Sequence, residues 1–133
     1  MRKPGRPLNQ VELDSYDVIP TNLARRVRLI PVPALPGRYD GMTLGYRIYL
    51  SKEVEQDGSS PLLAHELVHV RQWADQGRVG FSRRYLSSFV RGLGRHRRWN
   101  KAYLSIEAET EARHEASEWL RRRVQRQIGH NPE

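Results

Sequence analysis

Ser60-Pro61-Leu62-Leu63-Ala64-His65-Glu66-Leu67-Val68-His69-Val70-Arg71-Gln72-Trp73-Ala74-Asp75-Gln76-Gly77 is the stretch from which both the fold and the chemistry can be read. Ser60 offers a hydroxyl N-cap, Pro61 presets the first helical turn and Gly77 supplies a stop, so a helix is predicted from about 61 to 76. Leu63, Leu67 and Val70 set that helix in a core. His65 and His69 stand four apart on one side of it, with Cβ atoms roughly 5 to 6 Å apart, so both imidazoles can reach one metal ion.

With Glu66 next to the first histidine, the pattern is H-E-x-x-H. Zn²⁺ suits the two imidazoles, and Glu66 is placed to act instead as general base, taking a proton from the attacking water and passing it to the leaving amine. Burying two imidazoles and a carboxylate together without a metal is costly. The competing expectation is a pair of histidines satisfied by hydrogen bonds on a buried helix, with Glu66 in solvent.

A catalytic zinc wants three protein ligands and an open position. The chain of 133 residues has no cysteine, which removes disulfide scaffolds, cysteine zinc fingers, iron–sulfur sites and thiol catalysis together, and leaves His, Asp or Glu for the third ligand. Asp75 lies six residues beyond His69, but the turn that returns such a residue normally uses Gly where this chain has Gln72. His96 and His114 qualify by residue type only. On a helix through Ile106-Glu107-Ala108-Glu109-Thr110-Glu111-Ala112, Glu109 shares its face with Ser105, Ala108, Ala112 and Ala116, small residues that let another helix approach. Glu109 is therefore favoured, with Glu111 and then Glu107 behind it. The alternative for all three is an exposed carboxylate paired with a neighbouring arginine.

The rest of the chain fits one domain of α+β class. Residues 1–20 read as a loosely ordered basic leader becoming ordered near Leu13-Asp14, residues 21–128 as a single domain, and residues 129–133 as a polar tail. Residues 27–32 and 43–50 are rich in β-branched and aromatic side chains, and Leu44, Tyr46, Ile48 and Leu50 alternate with Gly45, Arg47 and Tyr49 as in one half-buried strand. The turn-rich segment 33–41 is expected to close a hairpin or small meander. The expected architecture is thus a small antiparallel sheet followed by about three helices. The second helix carries Tyr85, Leu86, Phe89, Val90 and Leu93 at offsets of three and four, and the third runs from about 101 to 127 into the basic run Arg121-Arg122-Arg123. If the strand 43–50 forms a sheet edge beside the cleft, a peptide substrate could add to it, with Arg47 and Tyr49 contacting its side chains.

Around His65 to Gln72 and Glu109 to Ala112 the chain resembles gluzincin-type zinc metallopeptidases. More narrowly, it resembles short bacterial domains carrying H-E-L-x-H-x-x-Q followed by a Glu-bearing helix. The likeness spans roughly residues 25 to 120, and Asp40 to Gly45 with Ile48 to Leu50 look like the strand region before the zinc helix. It implies a zincin-like fold, a peptidase mechanism, Zn²⁺ on His65, His69 and Glu109, and Glu66 as the catalytic carboxylate. In related gluzincins the third ligand is often a Glu followed three residues later by Ala, which falls on Glu109 with Ala112. Where an Asp or Asn often holds the first histidine, this chain has Arg113, leaving Glu111 or Glu115 for that role.

Lys and Arg number 23 against 15 Asp and Glu, a net charge of +8, and all but three of the basic residues are Arg. Arg pairs in a planar fork with phosphate or carboxylate. Arg83, Arg84, Arg91, Arg95, Arg97, Arg98 and Lys101, interleaved with Tyr85, Phe89, Trp99 and Tyr103, support a rival function as a binder of nucleic acid or another anionic surface. Tyr85 and Phe89 also fit the apolar face of the second helix, which favours the core for them. A zinc-containing domain without hydrolytic activity, acting in assembly or beside a toxin, is the third possibility. No stretch approaches the roughly 20 apolar residues of a membrane span, and no apolar segment follows the basic N-terminus, so a cytoplasmic protein is expected. Trp73 and Trp119 are read as core anchors, and His130 as inert.

Overall fold

In the computed structural model of the chain, residues 5–36, 39–96 and 106–129 are described, the side chains of residues 78 and 92–96 excepted. The elements run α1 (Gln10–Ser15), α2 (Thr21–Ala24), β1 (Arg28–Pro31), β2 (Gly41–Leu44), β3 (Arg47–Leu50), α3 (Pro61–His96) and α4 (Glu107–Gly129). The α+β class holds. No helix among the described residues is long and apolar enough to cross a membrane.

The sheet is mixed rather than antiparallel, in the order β1-β3-β2. The segment read as one strand from 43 to 50 is a hairpin: β2 and β3 pair antiparallel with Thr43 opposite Ile48, joined through Gly45 at φ 64° and Tyr46. A left-handed φ suits Gly, which carries no Cβ to clash there. The turn breaks the alternation, so Ile48 and Leu50 are buried while Leu44 is 50% exposed. With β2 on one edge of β3, β1 takes the other edge in parallel, Leu29 opposite Ile48. β1 and β2, which flank residues 33–41, therefore sit on opposite edges of β3 instead of pairing as a hairpin. Arg47 and Tyr49 lie on the central strand, so they cannot flank an added substrate strand; the edge on this side is β2.

The segment read as a loose leader is folded from residue 5. Arg6 and Leu29 exchange backbone hydrogen bonds of 2.9 and 2.8 Å, and the Arg6 guanidinium grips the buried Glu12 in a bidentate pair at 2.8 and 3.0 Å. Glu12 also closes a capping box with Asn9 at the start of α1. These partners are far apart in sequence or local in a way that a polar composition hides. Tyr16 packs on Trp119 with ring centroids 5.2 Å apart, and its hydroxyl accepts a hydrogen bond of 2.9 Å from the Ser60 N–H. The N-terminal segment thus holds the start of α3.

Helix α3 begins as its caps dictate, with Ser60 Oγ accepting from Leu63 N–H at 3.1 Å. It breaks at Gly77, whose φ of 75° and ψ of 164° are non-helical, into arms 61–76 and 78–96. Leu63, Leu67, Val68 and Val70 of the first arm join Val27, just before β1, Leu29 and Ile48 of the sheet and Ala112 and Trp119 of α4 in one core. In the second arm the helical spacing holds, but Leu86 and Val90 are exposed, and Tyr85 and Phe89 line a cleft rather than the core.

Candidate metal centre

His65 and His69, one turn apart on the first arm of α3, meet Glu109 from α4. The Nε2 atoms of His65 and His69 lie 3.0 and 3.1 Å from the same Glu109 oxygen, Oε1. The imidazoles stand edge to face, centroids 4.9 Å apart. For comparison, ligands about 2.0 Å from a tetrahedral zinc are roughly 3.3 Å from one another. Among the described residues this is the group of His, Asp and Glu side chains close enough to share a metal ion.

Hydrogen bonding around His69 fixes which ring nitrogen faces the centre. Gln72 donates through its amide nitrogen to the Ala108 carbonyl at 3.1 Å and to Glu111, so its amide oxygen is the atom 2.7 Å from His69 Nδ1. Nδ1 then carries a proton and donates it to Gln72, which in the neutral ring leaves a lone pair on Nε2 directed at Glu109 Oε1. A lone pair facing a carboxylate oxygen at 3.1 Å in a buried site requires a positive charge at that contact, either a ring proton or a metal ion. The donor set, two imidazoles and a carboxylate with the tautomer fixed from behind, fits Zn²⁺.

Electrostatics tie the same atoms together. Burial pushes the Glu109 carboxyl up, but the hydrogen bonds and charges of His65 and His69 outweigh it and hold Glu109 far below the usual carboxylate range. Burial opposes charge on His69, yet Glu109 and Glu66 raise its pKa above the ordinary value. Tyr85 donates at 3.1 Å to the second Glu109 oxygen, Oε2.

Glu66 is buried beside this group, and burial raises its pKa against the opposing pull of His69, His65 and Thr43. Thr43 of β2 donates to Glu66 Oε1 at 2.8 Å. At Gly41 an added Cβ would lie 3.1 Å from Glu66 Cγ and 3.2 Å from Oε2, so the strand approaches this carboxylate as closely as Gly allows. Glu66, His69 and Glu109 all line one cleft of about 570 Å³.

Of the residues predicted from sequence, His65, Glu66, His69 and Glu109 come together. Asp75 and His114 are exposed and outside the group. Glu107 is exposed and pairs with Arg84 at 3.4 Å, while Glu111 and Glu115 lie 3.8 and 3.4 Å from Arg71. Glu111 and Glu115, expected to hold the first histidine, His65, pair with Arg71 instead, and Gln72, which donates to Glu111, holds the second histidine, His69. The side chains of Leu93, Arg95 and His96, and Arg97, Arg98, Trp99, Lys101, Tyr103, Ser105, His130 and most of the tail, lie outside the described residues. From sequence alone, Gln72, Thr43, Gly41 and Tyr85 had no assigned role at this centre. Gln72 had a legible signal, three residues beyond His69 on the same helical face; Tyr85, across the Gly77 break, had none.

No protein-family model, curated protein or solved structure matches the chain.

Proposed function

We propose that the chain is a zinc-dependent hydrolase of peptide bonds. The observation that carries this reading is the meeting of His65 and His69 Nε2 on one oxygen of Glu109, in a cleft that also contains the buried, non-ligating Glu66. A zinc ion held by His65, His69 and Glu109 would supply Lewis acidity, polarising a carbonyl and making water acidic near neutral pH.

Glu66 takes the proton of the attacking water and returns it to the leaving nitrogen. A carboxyl raised by burial is better matched to proton transfer near neutral pH than one in solvent. Thr43 orients it by donating to Oε1, and Gln72 orients His69. Tyr85 holds the Glu109 oxygen that faces away from the histidines' shared contact.

The test is cleavage of a broad peptide mixture by zinc-loaded wild type and Glu66→Gln, read by mass spectrometry. Wild-type cleavage that drops on the order of a hundredfold or more in Glu66→Gln, with zinc retained, supports the mechanism. Undiminished cleavage in Glu66→Gln contradicts it.

A second reading, contact with an anionic partner, is favoured by one observation: Arg83, Arg84 and Arg91 are exposed along the second arm of α3. Such binding weakens steeply as salt rises.

A further inference from the structure

Away from Glu66, His69 and Glu109, the cleft is walled by apolar side chains: Met42 and Leu44 from β2, and Trp73, Phe81, Leu86 and Phe89 from the two arms of α3. Trp73 and Phe81 have ring centroids 4.6 Å apart, and Phe81 and Tyr85 are 5.7 Å apart, so an aromatic ladder joins the arms across the Gly77 break. Leu44 and Leu86 are 50% and 62% exposed and present uncovered apolar surface to the cleft. Among the described residues no lysine or arginine lines it. Arg83 and Arg84, on the same arm, border a separate groove with Arg91 and Glu107.

We infer that this cleft receives a bulky aliphatic or aromatic side chain of the substrate beside the bond to be cut, so that the protein acts on polypeptides presenting such a residue and rejects acidic ones. For the nature of its ligand the proposal rests on the peptide-hydrolysing reading. The cleft is continuous with the reacting carboxylate, because Glu66, His69 and Glu109 share its lining with Leu86 and Phe89. Its volume of about 570 Å³ falls within the usual range of ligand pockets. Covering the exposed Leu44 and Leu86 with an apolar group removes apolar surface from water, which favours such a ligand. An acidic side chain entering the same space would shed its hydration against these apolar walls, with no lysine or arginine among the described lining residues to pair with it. The β2 edge, lining the cleft from Gly41 to Leu44, offers backbone groups to an extended chain and so fixes the direction from which the side chain enters.

The test separates recognition from turnover. Zinc-loaded Glu66→Gln protein is titrated, by fluorescence anisotropy, with dye-labelled Gly/Ala decapeptides that differ only in carrying Phe, Leu, Ser or Asp at one position, moved along the peptide. The same peptides are incubated with wild type and assayed for cleavage. The proposal predicts that Phe and Leu peptides bind about tenfold to a hundredfold more tightly than Ser, with Asp weakest. Leu86→Lys, at an exposed position, should shrink this preference to about twofold without changing zinc content. Equal binding of Phe and Asp peptides, or a preference untouched by Leu86→Lys, overturns it. Cleavage without apolar preference also overturns it while leaving the hydrolase reading intact. Apolar preference in binding without any wild-type cleavage supports the cleft's selectivity and removes the hydrolase reading instead.

Discussion

Gln72 Oε1 lies 2.7 Å from His69 Nδ1, and the Gln72 amide nitrogen is spent on Ala108 and Glu111, so the side chain can face His69 only as an acceptor. One turn of helix thereby sets the tautomer of an imidazole in the candidate metal centre. Removing the acceptor should free the ring to rotate and to protonate at the wrong nitrogen. Gln72→Ala is expected to weaken zinc binding about tenfold to a hundredfold, measured by chelator competition on protein whose far-ultraviolet circular dichroism is unchanged. Wild-type affinity in that variant would show that the hydrogen bond has no part in holding the metal.

Gly41 tests the placement of Glu66 without touching its chemistry. An alanine Cβ would press on Glu66 Cγ and Oε2 at 3.1 and 3.2 Å and force a shift of a few tenths of an ångström. Gly41→Ala should keep its zinc and lose about tenfold in kcat. Loss of zinc instead would mean that the strand supports the ligands rather than the base.

Acid and the proposed zinc would compete for the same nitrogens. In the metal-free protein burial disfavours charge on His69, but Glu109 outweighs it and raises the folded-state pKa. A raised histidine pKa contributes stability that is fully present below the unfolded value of about 6.5 and is lost as the pH rises through the higher folded value. The metal-free protein should therefore lose melting temperature as pH rises above about 6.5. Zinc binding requires neutral imidazoles, so the increment that zinc adds should grow over the same interval. Thermal melts with and without a chelator check both trends, and parallel curves would contradict the assignment of His69 to the metal.

How much of this was legible in advance differs by element. The caps and stop at Ser60, Pro61 and Gly77 are local signals, and α3 starts and breaks where they say. The face of small residues around Glu109 identified the inward carboxylate because helical periodicity survives packing. The sheet was misread because Gly45 looks the same inside a strand as in a tight turn, and only the β2–β3 pairing distinguishes them. The order of the N-terminal segment was hidden because Arg6, Glu12 and Tyr16 find their partners on β1, α1 and the start of α3, contacts that no local pattern encodes. Tyr85 was assigned to a core for a related reason: its spacing is helical, but the break at Gly77 decides what its arm faces.

His65, His69 and Glu109 are proposed to hold one zinc ion. Native mass spectrometry of wild type, His69→Ala, Glu109→Ala, Glu107→Ala and Glu111→Ala, purified and reconstituted alike, tests it most directly. About one zinc per chain is expected in wild type, with loss of it in His69→Ala, marked weakening in Glu109→Ala, and retention in Glu107→Ala and Glu111→Ala. No zinc on the reconstituted wild type, or equal weakening by all the glutamate variants, would contradict it.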